Sequence, residues 1–246
     1  MKSTIEKIAA TINSAGKIVA FTGAGISVES GIPSFRGSKG LWSKYDPNCL
    51  DLENYFSNTQ EAWRVIKEIF YDFFGKAKPN KAHHVLAEME QIGLLNAVIT
   101  QNIDNLHQEA GSKKVIEFHG NSKYLIDIKT HERFSVNDIE IGNKPPVNKH
   151  TGNLLKPDFI FFGEGIPDEA YKQSVYWAEN ADVFILVGTT GEVVPASYIP
   201  PLAKRNGAVI IEINPEKSNY TSNITDIFLQ MNAVEAFELL SEKLVQ

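Results

Sequence analysis

The side chains with chemistry to offer fall in four places. Gly23-Ala24-Gly25 follows a short apolar run, Ile18 to Phe21, that reads as a buried strand. Glycine has no Cβ and accepts φ > 0, so a strand ending in glycines turns tightly and lets backbone approach a ligand such as a phosphate. The dinucleotide fingerprint asks for a third glycine three residues further on, where this chain has Val28. The turn is therefore read either as a phosphate cradle or as a plain strand-to-loop turn. The loop beyond it carries Ser27, Glu29, Ser30, Ser34 and Arg36 beside Gly31, Pro33 and Gly37, more polar chemistry than a connector needs. Gln101, Asn102 and Asp104 follow a second apolar run, Leu94 to Thr100, and offer amide and carboxylate hydrogen bonds suited to a carboxamide and a ribose. His119 follows a third run, Val115 to Phe118, and is either a base near neutral pH or a structural histidine closing a strand. Gly188-Thr189-Thr190-Gly191 repeats the strand-to-glycine turn after Asp182 to Val187, while His83, His84 and His107 read as structural.

The elements that must position these residues follow from periodicity. Ile5, Ile8, Ala9 and Ile12 make a helical stripe; Ala62, Val65, Ile66, Ile69, Phe70, Phe73 and Phe74 make a broader one that Gly75 and Pro79 end. Helices are further expected at 81–92, 168–180, 198–206 and 232–245, and strands at 159–162 and at 208–213, the latter ending on Asn214. Leu41 to Asn58 reads as loop and short turns. Strands alternating with helices argue for an α/β fold with a Rossmann-like, doubly wound parallel sheet, in which ligands bind beyond the carboxyl ends of the strands. The stretch 122–155, with Gly142, Pro145, Pro146 and Gly152, interrupts that alternation as a small inserted module.

With 246 residues, 43% of them hydrophobic, the chain can build a substantial core. The 24 Lys and Arg against 30 Asp and Glu give −6, which supplies no field for nucleic acid or anionic membranes. Direct nucleic-acid binding and membrane association are not expected. The N-terminus lacks the continuous apolar core of a signal peptide, and Cys49 is the single cysteine, so a cytoplasmic protein without an intramolecular disulfide is expected.

GAGISVESGIPSFRG, TQNIDNLH, the histidine of HGN, KPDFIFFGE, the GTT turn and the later IEIN run in order over nearly the whole chain. Together they resemble the successive motifs of the sirtuins, the Sir2-like NAD-dependent protein-lysine deacylases of bacterial or archaeal type. The resemblance implies one catalytic unit over 1–246. Its large domain would comprise 1–35, 81–121 and 156–246, a cofactor loop and helical insertion 36–80, and a small module 122–155. It implies that Gly23, Ala24 and Gly25 cradle the pyrophosphate of NAD, and that Gly188, Thr189, Thr190 and Asn214 lie near the adenosine half. Phe35 and Arg36 would sit on the cofactor loop, and Gln101, Asn102, Ile103 and Asp104 would form the nicotinamide pocket. Phe162, Gly163 and Glu164 would form a strand edge that pairs with an acylated lysine peptide through main-chain hydrogen bonds. The implied chemistry is departure of nicotinamide, attack of the acyl oxygen on the same ribose carbon, and deprotonation of a ribose hydroxyl by His119. Asn102, Asp104 and His119 are thereby the catalytic set. A sirtuin-like mono-ADP-ribosyltransferase or NAD glycohydrolase shares the first bond cleavage, and an NAD-binding regulatory module without turnover would need only the cofactor site.

Two departures from the family pattern stand out. The inserted module of sirtuins commonly holds a structural zinc through two Cys-x-x-Cys pairs; here spacing puts Asp127, Thr130, Val147 and His150 at those positions, so no zinc is expected. An apolar core of Tyr124, Leu125, Ile126, Ile128, Phe134, Val136, Ile139 and Ile141 is expected to hold the module instead. The Tyr and Arg of the branch that removes acidic acyl groups are matched by Lys67 and Phe70, which speaks against succinyl-lysine as a preferred substrate.

Overall fold

Ile18–Thr22 (β1), Ala97–Thr100 (β2) and Val183–Val187 (β7) are buried at every position, the mark of strands covered on both faces. The structure, a computed structural model, describes residues 2–35 and 40–244. These three strands join Val115–Glu117 (β3), Val209–Asn214 (β8) and Ile227–Gln230 (β9) in a six-stranded sheet of order β3-β2-β1-β7-β8-β9. Every pairing in it is parallel. Lys2–Ser14 (α1), Lys81–Gln91 (α4) and Ala233–Ser241 (α8) pack on one face; Asp168–Asn180 (α6) and Ile199–Arg205 (α7) pack on the other. That is the expected doubly wound α/β sheet. Strand order reverses between β1 and β7, so a crevice must open where their carboxyl ends, Thr22 and Val187, lie side by side. The short Leu106–Ala110 helix (α5) follows β2 and carries the chain back to β3.

A second, three-stranded antiparallel sheet has Gly120–Asp127 (β4) in the centre, between Arg133–Ser135 (β5) and Leu155–Phe159 (β6). This corrects the strand expected at 159–162. The apolar run there is a connection, and the strand before it pairs in the small sheet despite holding Lys156 and Pro157. The small sheet therefore reaches beyond 122–155 at both ends.

The segment between β1 and α4 also differs from expectation. Leu41 to Asn58 contains a helix, Leu52–Ser57 (α2), which Asp51 caps by accepting from Asn54 N at 2.8 Å. The single helix expected over 62–74 is Thr59–Ile66 (α3), then a π-helical stretch, Lys67–Phe73, then a 3₁₀ turn, Phe74–Lys76. Wider turns of this kind fit the crowding of Trp63, Ile66, Ile69 and Phe70, all buried on one side.

Nor does the small module hold itself together with a core of its own. Leu125 is buried and Phe134, Val136, Ile139 and Ile141 are partly so, but they belong to one apolar cluster with Tyr55, Trp63, Ile66, Phe70 and Phe159. Tyr124 lies exposed, with the Arg133 guanidinium 4.3 Å from its ring centroid. Polar bonds fix the same joint: Tyr55 Oη donates to Leu155 O (3.0 Å), Trp63 Nε1 to Gly142 O (3.0 Å) and Gln60 Nε2 to Asn143 O (2.8 Å).

Candidate functional site

The turn after β1 is packed against the turn after β7. Gly23 N donates to Val187 O at 3.0 Å and Gly25 N to Gly188 O at 2.9 Å. A Cβ on Gly25 would lie 2.5 Å from Gly188 Cα, so the missing side chain is what allows two backbones to meet. The chain then enters a 3₁₀ helix, Ala24–Ser30, which aims the start of that turn at the crevice. Gln101 Nε2 donates to Thr189 Oγ1 at 3.0 Å, and Asn214 Nδ2 donates to Thr189 O at 2.9 Å. Residues far apart in sequence are thus gathered at the strand ends around Gly188, Thr189 and Thr190. Thr189 and Asn214 are buried there, and Thr190 is exposed.

Ala24, Phe35, Asn102, Ile103 and Asp104 line one recess together with Ile32 and Phe74. Five residues singled out in the sequence line this recess, with two apolar walls, Phe74 from the helical stripe and Ile32 from the loop after the glycine turn. Asn102 Nδ2 donates to Gly23 O and to Ser27 Oγ, both at 3.2 Å; Ser27 Oγ in turn donates to Asp104 Oδ2 at 2.7 Å. Leu106 N donates to Asp104 Oδ1 at 3.0 Å. Burial raises the Asp104 pKa above the usual carboxylate value, with these two hydrogen bonds opposing. Ser27, named in the sequence only as one of several polar loop residues, joins Asn102 to Asp104 and is fully buried, a role that its place in a polar loop concealed. Arg36 lies outside the described residues.

His119 is half-buried at the end of β3, and its Nδ1 lies 3.1 Å from Gln101 O. A carbonyl only accepts, so Nδ1 carries the proton and Nε2 keeps its lone pair. Burial lowers the pKa of His119 and the carbonyl contact opposes, leaving a neutral base at pH 7. His83 and His107 sit behind the recess with ring centroids 4.9 Å apart. Burial pushes them down to about 2 and about 3 respectively, which keeps both neutral. His107 Nε2 is 2.9 Å from Thr22 Oγ1, consistent with the structural part expected of it.

Phe162, Gly163 and Glu164 do not join this recess. Phe162 N donates to Leu50 O (2.8 Å) and Leu52 N to Phe162 O (3.0 Å), so one edge of the segment is taken by the helical insertion. The Glu164 carboxylate is turned inward, accepting from Phe161 N at 2.7 Å and pairing with buried Lys156 Nζ at 3.0 Å. Burial lowers the Lys156 pKa while Glu164 holds it up. The Phe162 side chain remains half exposed.

The positions where the family's zinc ligands would stand hold a different device. Asp127 is fully buried and accepts from Lys129 N (2.9 Å), Thr130 N (3.1 Å), Asn148 Nδ2 (2.8 Å), Thr151 Oγ1 (3.0 Å) and Asn153 Nδ2 (3.2 Å). Burial alone would raise its pKa; the hydrogen bonds outweigh that and hold it well below the usual carboxylate range.

Comparison with known proteins agrees with this arrangement. A sequence profile of the Sir2 family matches residues 23–195. An NAD-dependent protein deacylase of Aeropyrum pernix is 42% identical over 229 residues, 91% of this chain and 90% of that protein. An NAD-dependent protein deacetylase of Pyrobaculum aerophilum is 38% identical over 98% of this chain and 94% of its own. A Sir2 homologue solved with ADP-ribose superimposes with a TM-score of 0.92 at 37% identity, covering 97% of this chain and 96% of the other. A Sir2 solved with an acetylated peptide gives 0.88 at 34% identity, covering 97% and 98%. A chain whose sequence matches the family over the crevice and whose fold matches solved members from end to end belongs to the Sir2 family.

Proposed function

We propose that the protein is an NAD-dependent protein-lysine deacylase, acting on acetyl-lysine in protein segments. The observation that carries this reading is the convergence of Ala24, Phe35, Asn102, Ile103 and Asp104 on one recess beyond the carboxyl ends of the neighbouring strands β1 and β2. The residues present fit NAD. Amide and carboxylate groups of Asn102 and Asp104 suit the nicotinamide carboxamide and ribose; the glycine turn suits the pyrophosphate; Thr189, Thr190 and Asn214 suit the adenosine half. NAD supplies, when bound, the ribose carbon that captures the acyl oxygen once nicotinamide departs, and it leaves carrying the acyl group as O-acyl-ADP-ribose.

The protein's own part is positioning and one proton. Asn102 and Asp104 are held through Ser27, so they meet the nicotinamide end without reorganising. His119 takes a proton at Nε2, because its other nitrogen is committed to Gln101 O and its low pKa keeps it unprotonated. Gly163, next to a residue whose main chain is already paired to Leu50 and Leu52, presents the main-chain edge to the substrate peptide. Glu164 serves that edge indirectly, as the anchor of Lys156. The crevice lies between the parallel sheet and a lobe formed by the helical insertion with the small sheet.

Zinc plays no part in this reading, because the residues at its expected place do not fit it. Asp127 faces N–H and O–H donors on both oxygens, which point their positive ends where a cation would have to sit, and Val147 has no ligand atom. Elemental analysis of tag-free protein tests this: near-stoichiometric zinc, with loss of folding on chelation, would show it wrong. The activity itself is tested by incubating the protein with NAD and an acetyl-lysine peptide and weighing the products. O-acetyl-ADP-ribose with free lysine peptide is expected; ADP-ribosylated protein, free ADP-ribose alone, or no turnover would replace this reading.

A further inference from the structure

Strand β8 carries a carboxylate where its neighbours are Val and Ile. Glu212 is fully buried, and among the described residues no Lys or Arg forms an ion pair with it. A buried charge is costly unless its oxygens are hydrogen-bonded, and an isoleucine at this position would avoid the cost altogether. What the carboxylate holds explains its presence. Its Oε1 accepts from Ser218 Oγ (2.6 Å), Thr221 Oγ1 (2.9 Å) and Asn214 Nδ2 (3.3 Å); its Oε2 accepts from Thr225 Oγ1 (2.7 Å). Three of these four donors belong to the loop after β8, and the fourth is the candidate adenosine residue at the strand's end.

The same loop is stitched to the glycine turn after β7. Asn219 N donates to Thr190 O at 3.0 Å, Asn219 Nδ2 to Gly191 O at 3.3 Å, and Asn214 Nδ2 to Thr189 O at 2.9 Å. The Tyr220 ring lies so close to Gly191 that a Cβ there would be 2.8 Å from it. Tyr220 N in turn donates to Ser218 Oγ at 3.0 Å, the hydroxyl that reaches Glu212. Beside the Gly188 N to Ile213 O bond and the Gln101 contact to Thr189, the side-chain and loop contacts that fix Thr189, Thr190 and Asn214 relative to one another thus run through the loop or the amide that Glu212 holds.

We propose that Glu212 is a positioning residue for the adenosine half of the NAD site, acting through Asn214 and through the Ser218, Thr221 and Thr225 hydroxyls. The proposal rests on the deacylase reading above, since it concerns the same cofactor. Because Glu212 is buried behind Asn214 and touches no reacting atom, its loss loosens the adenosine wall and leaves the chemistry and the peptide edge intact.

The test is ADP-ribose binding by calorimetry, beside steady-state kinetics with NAD and an acetyl-lysine peptide, for wild type, Glu212→Ala, Glu212→Gln and Ser218→Ala. Leaving three hydroxyls and an amide without their acceptor is expected to raise the ADP-ribose Kd and the NAD KM of Glu212→Ala about tenfold. The peptide KM and the kcat at saturating NAD should stay within about twofold, a split that a general loss of folded protein would not produce. Glu212→Gln keeps one acceptor oxygen and should fall between wild type and Glu212→Ala. Should Glu212→Ala fail to fold, Ser218→Ala carries the test, with a Kd raised about threefold. Unchanged ADP-ribose affinity in the folded variants, or equal loss in NAD and peptide parameters, overturns the proposal. Wild-type protein that does not bind ADP-ribose would instead overturn the deacylase reading on which it rests.

Discussion

Replacing Gly25 by alanine should destabilise the protein before any ligand is added. The new Cβ would lie 2.5 Å from Gly188 Cα, 2.9 Å from Gly188 C and 2.8 Å from Gly188 O, all backbone atoms that cannot swing aside. Carbon atoms rest at about 3.5 Å or more, so the two turns must part by about 1 Å. Such a shift strains the Gly25 N to Gly188 O and Gly23 N to Val187 O bonds. Overpacking typically costs about 1–3 kcal/mol and each of the two hydrogen bonds about 1 kcal/mol, giving about 3–5 kcal/mol in all. For a chain of this size that lowers Tm on the order of 10 °C. Gly165→Ala is the control: its Cβ would meet nothing within 4 Å, and a change within about 0.5 kcal/mol is expected. Scanning calorimetry without NAD and then with saturating NAD separates two roles. If the glycine served only the pyrophosphate, the ligand-free Tm would be unchanged and only the NAD-induced shift would shrink. A ligand-free Tm within about 2 °C of wild type refutes the close-packing argument.

His119→Ala should keep the fold and ADP-ribose binding while lowering deacylation about 10²–10⁴-fold, and near-normal turnover by the folded variant would remove it from proton transfer. Because neutral His119 is the active form and burial lowers its pKa, the acid limb of kcat/KM should be centred below the ordinary histidine value of 6.5; a limb centred above it would contradict that assignment. His83 and His107 bind protons in the unfolded chain near pH 6.5 but in the folded chain only near 2 and 3, so the stability they contribute is complete above pH 6.5 and lost as pH falls toward 3. At about 1.4 kcal/mol per pH unit for each, urea unfolding should show a loss on the order of 4 kcal/mol between pH 7 and pH 5, and a flat profile there would refute their burial as neutral groups. Acetyl-lysine should be cleaved well ahead of succinyl-lysine, since Lys67 Nζ is bound to both Asp72 oxygens at 2.8 and 2.6 Å and offers no free cation; comparable rates at matched concentration would count against it.

The central strands of the parallel sheet were readable because they are buried on both faces and so appear as unbroken apolar runs, whereas the edge strand Ile227–Gln230, only partly buried, was not expected. Val183–Val187 differs from expectation by a single residue, and Asp168–Asn180 matches it. The glycine turns were readable because turn chemistry is local. Strand β6 was not, because Lys156 and Pro157 break the pattern that marks a strand; the charge is tolerated only because Glu164 and two carbonyls meet it. The neighbouring apolar residues up to Phe162 mimicked a strand while serving as a connection. The roles of Ser27 and Asp127, both named in the sequence, escaped for a related reason. Each acts through partners brought from elsewhere in the chain: Ser27 joins Asn102 to Asp104, and Asp127 gathers amides and a hydroxyl from two loops. Short polar side chains of this kind leave no periodic trace in the sequence.

The apolar cluster shared by the helical insertion and the small sheet has a consequence for how the chain is made. Tyr55, Trp63, Ile66 and Phe70 come from its first segment, while Leu125, Leu155, Phe159 and Phe161 come from a much later one. A ribosome releases the first set long before the second exists. At about 5–20 residues per second, the stretch from Trp63 to Phe161 leaves those aromatic faces bare on the order of 5–20 s. During that interval Trp63 Nε1 has no Gly142 carbonyl to bond and Tyr55 Oη no Leu155 carbonyl. The nascent insertion therefore presents a sticky surface until the small sheet and the segment up to Phe161 have been made, a stage at which aggregation competes with folding.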